Sequence, residues 1–159
     1  MATIEKAIEI AARAHAGVKD KHGNPYLLHP LRVMMGVTGE RTQMVAVLHD
    51  VVEDTAISLA DIAAAGFDTQ VVDALTLVTH GSNQSYADYV IGCKQNEIAR
   101  QVKMSDLRDN ASLARLLLRP SRLEADGSRI QRYLLSYQFL TDTITEDAYR
   151  KAMEQVASA

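Results

Sequence analysis

The chain has 159 residues, a length that suits one domain, and we expect a single domain over residues 1–159. Apolar residues make up 47% and charged residues 23%, a composition that excludes disordered, collagen-like and low-complexity proteins. The net charge of −3 lacks the basic excess of nucleic-acid-binding domains, so we expect neither nucleic acid nor an anionic membrane as a partner.

The single cysteine, Cys93, excludes an internal disulfide and a thiolate metal cage, and it fits a reducing compartment. No apolar run approaches the ~20 residues of a membrane helix. Residues 1–9 also lack the apolar segment of a signal peptide. We therefore expect a cytoplasmic protein with no membrane partner, and the pattern predicts no particular oligomeric state.

Apolar residues recur at helical spacing along most of the chain. Residues 4–11 show it first, with apolar side chains at intervals of three and four that share one helix face. A loop follows, because Pro25 disfavours helical backbone at Asn24. The pattern predicts an all-α fold of eight or nine helices. Their approximate ranges are 4–16, 27–37, 43–52, 58–66, 68–78, 84–94, 96–118, 128–141 and 145–157.

Four ionisable side chains stand at the end of the most apolar predicted helix, 43–52. His49 and Glu53 are four residues apart and share one helix face. Asp50 and Asp54 have the same spacing on the adjacent face. Burial of unpaired carboxylates costs several kcal/mol, and a bound divalent cation can offset that cost. Imidazole nitrogen and carboxylate oxygen together suit Mn²⁺ or Zn²⁺.

Two further candidate ligands lie elsewhere in the sequence. His29 opens the second predicted helix, immediately before Pro30. Asp106 occupies an inward position of an otherwise amphipathic helix, where a carboxylate needs a partner. Each of these residues alone has an ordinary explanation as a capping or surface group. Together, two histidines and two aspartates leave coordination positions open for water and a phosphate oxygen, which favours metal-assisted hydrolysis.

Three short motifs carry a family resemblance. They are His29-Pro30, then His49-Asp50-Val-Val-Glu53-Asp54-Thr55, then Val102-Lys103-Met-Ser-Asp106 with Asn110 four residues later. In this order they resemble the HD-superfamily metal phosphohydrolases, in particular the hydrolase domain of RelA/SpoT-type alarmone enzymes and the small single-domain alarmone hydrolases. The match covers about residues 4–113. The resemblance implies an HD-domain helical bundle.

The resemblance also implies an activity: removal of pyrophosphate from the 3′ position of guanosine tetraphosphate (ppGpp), a nucleotide of the stringent response, to leave GDP. One Mn²⁺ ion is the implied cofactor, with another divalent metal as the alternative. Its implied ligands are His29, His49, Asp50 and Asp106. The implied catalytic pair, which positions or deprotonates the attacking water, is Glu53 and Asp54. The residues implied to lie near the nucleotide are Lys21 and Asn110.

Two positions depart from the family pattern. Asp20 stands where the family usually has an arginine, so a phosphate-attracting charge is reversed. Leu113 stands where a threonine is common, which removes a hydroxyl donor. These changes leave open a different substrate, such as a nucleoside monophosphate or the 2′-phosphate of NADPH. A non-catalytic metal- or nucleotide-binding module is the third hypothesis, and the water-activating pair argues against it.

Other polar side chains receive plainer predictions. His15 is expected to pack inward as a hydrogen-bonded neighbour of the site, and Cys93 to be a buried, inert thiol. We expect solvated side chains at His22, His80, Lys103, Arg108 and Arg115. A late helix presents side chains that either reach phosphates or form an exposed face, namely Arg129, Arg132, Tyr133 and Tyr137.

Overall fold

A computed structural model describes residues 1–158 of the chain, and within them the backbone forms ten α-helices and one short 3-10 helix. Extended pairing in this range is limited to an isolated bridge between Lys19 and Pro25, so the all-α prediction is confirmed. The helices are α1 Ile4–Ala14, α2 Leu28–Met35, α3 Glu40–Leu48, α4 Val51–Asp54, α5 Leu59–Ala64, α6 Thr69–Val78, α7 Tyr86–Lys94, α8 Glu97–Asn110, α9 Leu123–Leu140 and α10 Glu146–Ser158.

The predicted helix 43–52 is divided in the structure at His49 and Asp50, which separate α3 from α4. Both residues keep right-handed helical dihedral angles, and the Asp54 amide donates to the Asp50 carbonyl over 2.9 Å. The backbone thus stays right-handed helical through His49 and Asp50, although α3 and α4 are separate helices. Counted as one, α3 and α4 bring the total within residues 1–158 to the predicted nine.

Helix α3 lies at the centre of the molecule and packs against α1, α2, α6 and α8. Residues 45–48 are fully buried, which confirms the expectation of a helix that is apolar nearly all round. Each buried valine or leucine contributes roughly 1.5–3 kcal/mol relative to exposure. The candidate ligands His49 and Asp50 follow directly, so the most tightly packed helix positions them.

The region after α8 differs from the prediction in two ways. The predicted helix 96–118 ends at Asn110, and the predicted loop 119–127 contains a 3-10 turn at Pro120–Arg122 and the start of α9. Asp126 accounts for the change: it is buried and accepts hydrogen bonds from the Arg119 amide and guanidinium. These tertiary bonds hold the chain in a turn, and proline is compatible with the first position of a helix.

Helices α2 and α8 approach closely, which brings together ligands that are 77 positions apart in the chain, His29 and Asp106. The Ser105 hydroxyl on α8 donates to the Val33 carbonyl on α2 over 2.9 Å. Gly36 permits this approach, because a Cβ atom there would collide with Ser105 Oγ. None of the helices within residues 1–158 is long and apolar enough to cross a membrane.

Candidate metal centre and active-site cavity

The four predicted metal ligands converge in the structure. His29 Nε2 lies 3.3 Å from Asp106 Oδ1 and 3.5 Å from Asp50 Oδ2. His49 Nε2 lies 3.1 Å from Asp50 Oδ1 and 3.8 Å from Asp106 Oδ1. His29, His49 and Asp106 are buried, and Asp50 is half-buried. One ligand atom from each of His29, His49 and Asp106 lies within 4.8 Å of the other two, and Asp50 borders this group with one oxygen beside each imidazole.

The chemistry of this donor set fits a divalent cation. His49 Nδ1 lies 2.8 Å from the Ala46 carbonyl, which can only accept, so Nδ1 carries the proton. The Nε2 lone pair then points to the carboxylates, and Nε2 is buried without a hydrogen bond to any part of residues 1–158. A cation bound by nitrogen and oxygen satisfies this atom and neutralises both carboxylates.

Protons and a metal ion compete for the two imidazoles. Burial disfavours a charged His49, but the neighbouring Asp50 and Asp106 carboxylates outweigh it and raise its pKa to about 9. The pKa of His29 is also raised, because bonds to Asp106 and Asp109 outweigh its burial. Metal ligation requires the neutral imidazoles, so metal binding is expected to release protons.

Asp109 holds the His29 imidazole from the side opposite to the ligand cluster. His29 Nδ1 lies 2.6 Å from Asp109 Oδ2, while Arg32 Nε lies 2.6 Å from Oδ1 and Arg115 Nε 3.1 Å from Oδ2. Burial opposes its charge, but His29 and Arg32 lower the pKa of Asp109 to about 2. Such a carboxylate–histidine pair fixes the tautomer and orientation of a metal-binding imidazole.

The sequence analysis did not identify Asp109 as a site residue. The available signal was its position three residues after Asp106, which places both carboxylates on the same side of α8. Tyr26 was also missed: its hydroxyl donates to Asp50 Oδ2 over 2.6 Å and lies 3.2 Å from Asp54 Oδ2. Burial and these carboxylates raise its pKa above the ordinary value, so the phenol keeps its proton.

Lys103 contradicts the prediction of a solvated side chain. It is buried, and its ammonium donates to Asp106 Oδ2 over 2.8 Å. Burial disfavours the charge, yet Asp106 raises the pKa of Lys103 well above its ordinary value. The Asn110 amide donates to the other oxygen, Asp106 Oδ1, over 2.5 Å. Hydrophobic periodicity missed this lysine because it treats every charged side chain as solvated.

The ligand cluster opens into a cavity of about 570 Å³ with two chemically different sides. The acidic side is lined by Asp50, Glu53, Asp54 and Asp106. The basic side is lined by Lys21, Arg115 and Arg129. Burial and the nearby Arg129 guanidinium lower the pKa of Lys21, which shows that these cations lie close together. Asn110 also borders the cavity, so every residue predicted to contact water or nucleotide lies on its wall.

The predicted catalytic pair, Glu53 and Asp54, lies at the more exposed part of the acidic side. Glu53 Oε2 accepts a hydrogen bond from the His80 amide over 3.0 Å. Asp54 is approached by the Tyr26 hydroxyl, as described above. Both carboxylates are therefore oriented by a donor while they remain open to the cavity. This geometry suits groups that accept a proton from a water molecule.

The two departures from the family pattern have local explanations. Asp20 Oδ1 accepts from the amides of His22 and Asn24, each over 2.9 Å, and so closes its own loop. Asp20 Oδ2 lies 3.7 Å from Arg115 Nη1, which offsets the negative charge that was expected to repel phosphate. Leu113 is 92% exposed, so the missing threonine hydroxyl is not a change in the cavity wall.

The predictions for the other polar side chains were partly right and partly wrong. His22 and Arg108 are exposed as expected, and Cys93 is a buried thiol whose pKa burial raises to about 12. His15 is buried, but its Nε2 has no hydrogen bond within residues 1–158, contrary to the expected bonded neighbour. The predictions of solvation were wrong for Arg115 and His80, which are half-buried; both line the cavity, as does the exposed His22. The late helix does contribute to the cavity wall, through Arg129 and Tyr133.

Sequence comparison identifies relatives with related names, although no protein-family model matches the chain. The chain is 42% identical over 79 residues to GTP pyrophosphokinase of Streptomyces coelicolor, covering 46% of the chain and 9% of that protein. It is 29% identical over 119 residues to guanosine-3′,5′-bis(diphosphate) 3′-pyrophosphohydrolase of Aquifex aeolicus, covering 67% of the chain and 17% of that protein. The chain thus spans less than a fifth of the length of these relatives.

A comparison with solved structures identifies a protein with the same architecture. A solved structure of a metazoan ortholog of SpoT that hydrolyzes ppGpp superimposes with a TM-score of 0.62 and 20% identity, covering 98% of this chain and 94% of that one. The chain is similar to RelA/SpoT-type HD hydrolase domains. The histidine–aspartate pair that carries the sequence resemblance is His49-Asp50, which lies at the α3–α4 junction. The family resemblance of the sequence is therefore confirmed.

Proposed function

We propose that this HD domain is a divalent-metal-dependent phosphohydrolase that removes pyrophosphate from the 3′ position of ppGpp. The observation that carries the proposal is the convergence of two imidazoles and two carboxylates beside a cavity with one acidic and one basic side. The names of the relatives from Aquifex aeolicus and from the metazoan structure agree with this activity. We further propose that residues 1–159 act as one domain.

We propose that His29, His49, Asp50 and Asp106 hold the ion, and that Mn²⁺ is the ion used. The two carboxylates are ligands that suit Mn²⁺, and the two imidazoles suit a borderline divalent transition metal, so the mixed set is compatible with Mn²⁺. When bound, a divalent cation supplies Lewis-acid stabilisation of the negative charge on the transferred phosphoryl group. The two aspartates match its charge, which leaves the site able to accept a further anionic oxygen.

We assign Glu53 and Asp54 to the attacking water. Glu53 accepts a proton from the water while the oxygen of the water bonds to the 3′-phosphorus. Asp54, which lies beside Tyr26, orients that water. The bond between the 3′ oxygen and phosphorus breaks, the 3′ oxygen takes up a proton from solvent, and the two products are GDP and pyrophosphate. General-base assistance of this type contributes roughly 10²–10⁴-fold to a rate.

We assign the basic side of the cavity to the nucleotide. Lys21, in the loop before α2, and Asn110, at the end of α8, both border the cavity. The Asn110 amide oxygen lies 3.4 Å from Arg115 Nη2, so this asparagine connects the ligand Asp106 with the basic side. A nucleotide with several phosphates places negative charge on both the metal and these cations.

The proposal is tested with purified protein loaded with Mn²⁺ and incubated with ppGpp. We expect GDP and pyrophosphate in equal amounts, and no turnover by the Asp50→Ala variant, while Asp73→Asn, a change at an exposed position on α6 outside the cavity, stays active. A parallel panel contains nucleoside monophosphates and NADPH. Release of inorganic phosphate from that panel without cleavage of ppGpp would reject the alarmone and retain a phosphohydrolase. Nucleotide binding without hydrolysis under any divalent ion would reject the enzyme altogether.

A further inference from the structure

Lys103 places a positive charge inside the candidate metal centre. The side chain lies on α8 and is only 10% exposed, and its ammonium has Asp106 Oδ2 as partner at 2.8 Å. The ring centroids of Tyr89 and Tyr86 lie 4.8 Å and 5.6 Å from the same nitrogen. A buried ammonium is costly unless a counter-charge and aromatic faces compensate it, and here both are present. The charge is therefore a fixed component of the site.

Lys103 also divides the two oxygens of Asp106 between different partners. Oδ2 accepts from Lys103, whereas Oδ1 faces His29 Nε2 at 3.3 Å and His49 Nε2 at 3.8 Å. The carboxylate cannot rotate without breaking the buried ion pair. Lys103 on Oδ2 and the Asn110 amide on Oδ1 therefore hold Asp106 with a single oxygen directed towards the imidazoles.

The same contact sets the charge balance of the centre. Asp50 and Asp106 together match one divalent cation, so Lys103 adds a positive charge in excess of that match. Two positive charges within several ångströms of each other repel strongly in a buried site. In the absence of a metal ion, in contrast, Lys103 compensates the buried Asp106 carboxylate. Its effects on the metal-free and metal-bound protein are thus opposite in sign.

We propose that Lys103 is an internal counter-cation: it stabilises the metal-free centre, keeps Asp106 in its ligand orientation and weakens the hold of the centre on a divalent ion. The consequence is a centre that remains folded without metal and exchanges its ion. This inference concerns Lys103 as a positioning residue, and it rests on the metal site put forward under Proposed function. It does not depend on which nucleotide is the substrate.

The test is the Lys103→Met variant, which keeps the length of the aliphatic side chain and removes the charge. We expect the thermal unfolding midpoint of the metal-free variant to fall, because Asp106 loses its counter-charge. We expect its affinity for Mn²⁺, measured by calorimetric titration, to increase by on the order of tenfold. The Lys103→Arg variant keeps the charge and should retain the affinity of the parent protein.

Lys94→Met is the matched control. Lys94 on α7 is also largely shielded, at 22% exposure, and it pairs with Asp142 over 2.8 Å, away from the ligand cluster. Its replacement should lower the unfolding midpoint without changing the Mn²⁺ affinity. Both readouts are independent of turnover, so a loss of activity alone does not decide the result.

An unchanged or weaker Mn²⁺ affinity in Lys103→Met would overturn the inference, because it would make Lys103 a structural residue only. If Lys103→Met does not fold without metal, Lys103→Gln gives the same comparison with a polar side chain. A parent protein that binds no Mn²⁺ would instead refute the metal site itself. The parent titration thus separates failure of the metal site from failure of this inference.

Discussion

Asp109 is the residue on which the orientation of the His29 imidazole depends. Its carboxylate lies 2.6 Å from His29 Nδ1 and is itself held by Arg32 and Arg115. Replacement of Asp109 by Asn removes the negative charge that favours an Nδ1 proton. We expect Asp109→Asn to weaken Mn²⁺ binding by about 10–100-fold, as for other carboxylates behind metal-binding histidines. Calorimetric titration with Mn²⁺ measures this change.

The control for this prediction is Asp73→Asn, because Asp73 is an exposed aspartate on α6. It should bind Mn²⁺ like the parent protein. An Asp109→Asn variant with parental affinity would show that α2 packing alone orients His29, and that the 2.6 Å contact has no role in metal binding.

A second prediction for a single residue concerns Glu53, which lies on the cavity wall outside the four-residue ligand cluster. A glutamine keeps an oxygen that accepts from the His80 amide, so the loop contact at 3.0 Å is preserved. We expect Glu53→Gln to retain bound metal and to lose roughly 10²–10⁴-fold in turnover, the contribution of a general base. Metal content and turnover are measured on the same preparation, with exposed Glu40→Gln as the control. Parental turnover would remove Glu53 from the catalytic pair.

At the scale of elements, the contact between α2 and α8 determines whether the ligands meet. A Cβ atom at Gly36 would collide with Ser105 Oγ, whose hydroxyl bonds to the Val33 carbonyl. We expect Gly36→Ala to destabilise the fold by about 1–3 kcal/mol, the usual cost of overpacking. Chemical denaturation measures the change, and additional replacement of Ser105 by Ala, which removes the colliding Oγ and keeps a good helix former in α8, should restore much of the loss.

Gly92→Ala is the matched control for this element. Gly92 lies within α7, and nothing lies within 4 Å of a Cβ atom built there. Alanine should therefore stabilise α7 by roughly 0.5–1 kcal/mol through helix propensity. If Gly36→Ala were as stable as the parent, the α2–α8 approach would not be the close contact described here.

Local pattern was sufficient to predict elements whose ends are set by local chemistry. Asn96 accepts from the Ala99 amide and begins α8 where capping preferences place a helix start. The end of α8 and the start of α9 were predicted wrongly, because the partners that decide them are remote or lie outside helical spacing. Arg115 pairs with Asp20, and Arg119 pairs with the buried Asp126. Periodicity carries no information about such pairs.

In the candidate site, too, some residues could be predicted from the sequence and others could not. The ligand cluster was accessible from sequence because His49 and Asp50 occupy one short motif, His29 opens a predicted helix and Asp106 stands at an inward helix position, and the family resemblance implied the same four residues. The supporting charges were not accessible, since Lys103 and Asp109 lie on an amphipathic helix whose outward and inward positions contain charged residues alike. Their roles depend on the packing of α8 against α2 and α3, which the sequence alone does not specify.

At the scale of the whole molecule, acid stability depends on buried aspartates. Asp126 bonds to the Arg119 guanidinium and lies 3.2 Å from Arg129, and these contacts, led by Arg119, lower its pKa. A pKa lower in the folded than in the unfolded state stabilises the fold above the unfolded value of about 4, and the contribution is lost as pH falls below it. We expect the unfolding midpoint to fall from pH 4 downwards, as measured by thermal unfolding at successive pH values.

Asp126→Asn tests the source of this acid sensitivity. It should unfold at a lower temperature at neutral pH and should lose less stability between neutral pH and acid than the parent protein. Asp147→Asn, which changes an exposed position on α10, is the control and should follow the parent curve. An Asp126→Asn curve parallel to the parent curve would assign acid sensitivity to other groups.

A bound cation would connect parts of the chain that are far apart in sequence, because its ligands come from α2, the α3–α4 junction and α8. Binding to the folded state alone adds about 2.7 kcal/mol of stability when the free ion is at 100 times its dissociation constant. We expect Mn²⁺ to raise the unfolding midpoint, by an amount that grows with the logarithm of the free-ion concentration above the dissociation constant, and a chelator to lower it. His49→Ala should abolish this response because it removes a central ligand, whereas His22→Ala in the exposed loop should keep it. A full Mn²⁺ response in His49→Ala would mean that the ion binds elsewhere, and the convergence of imidazoles and carboxylates would then be only a buried ion-pair network.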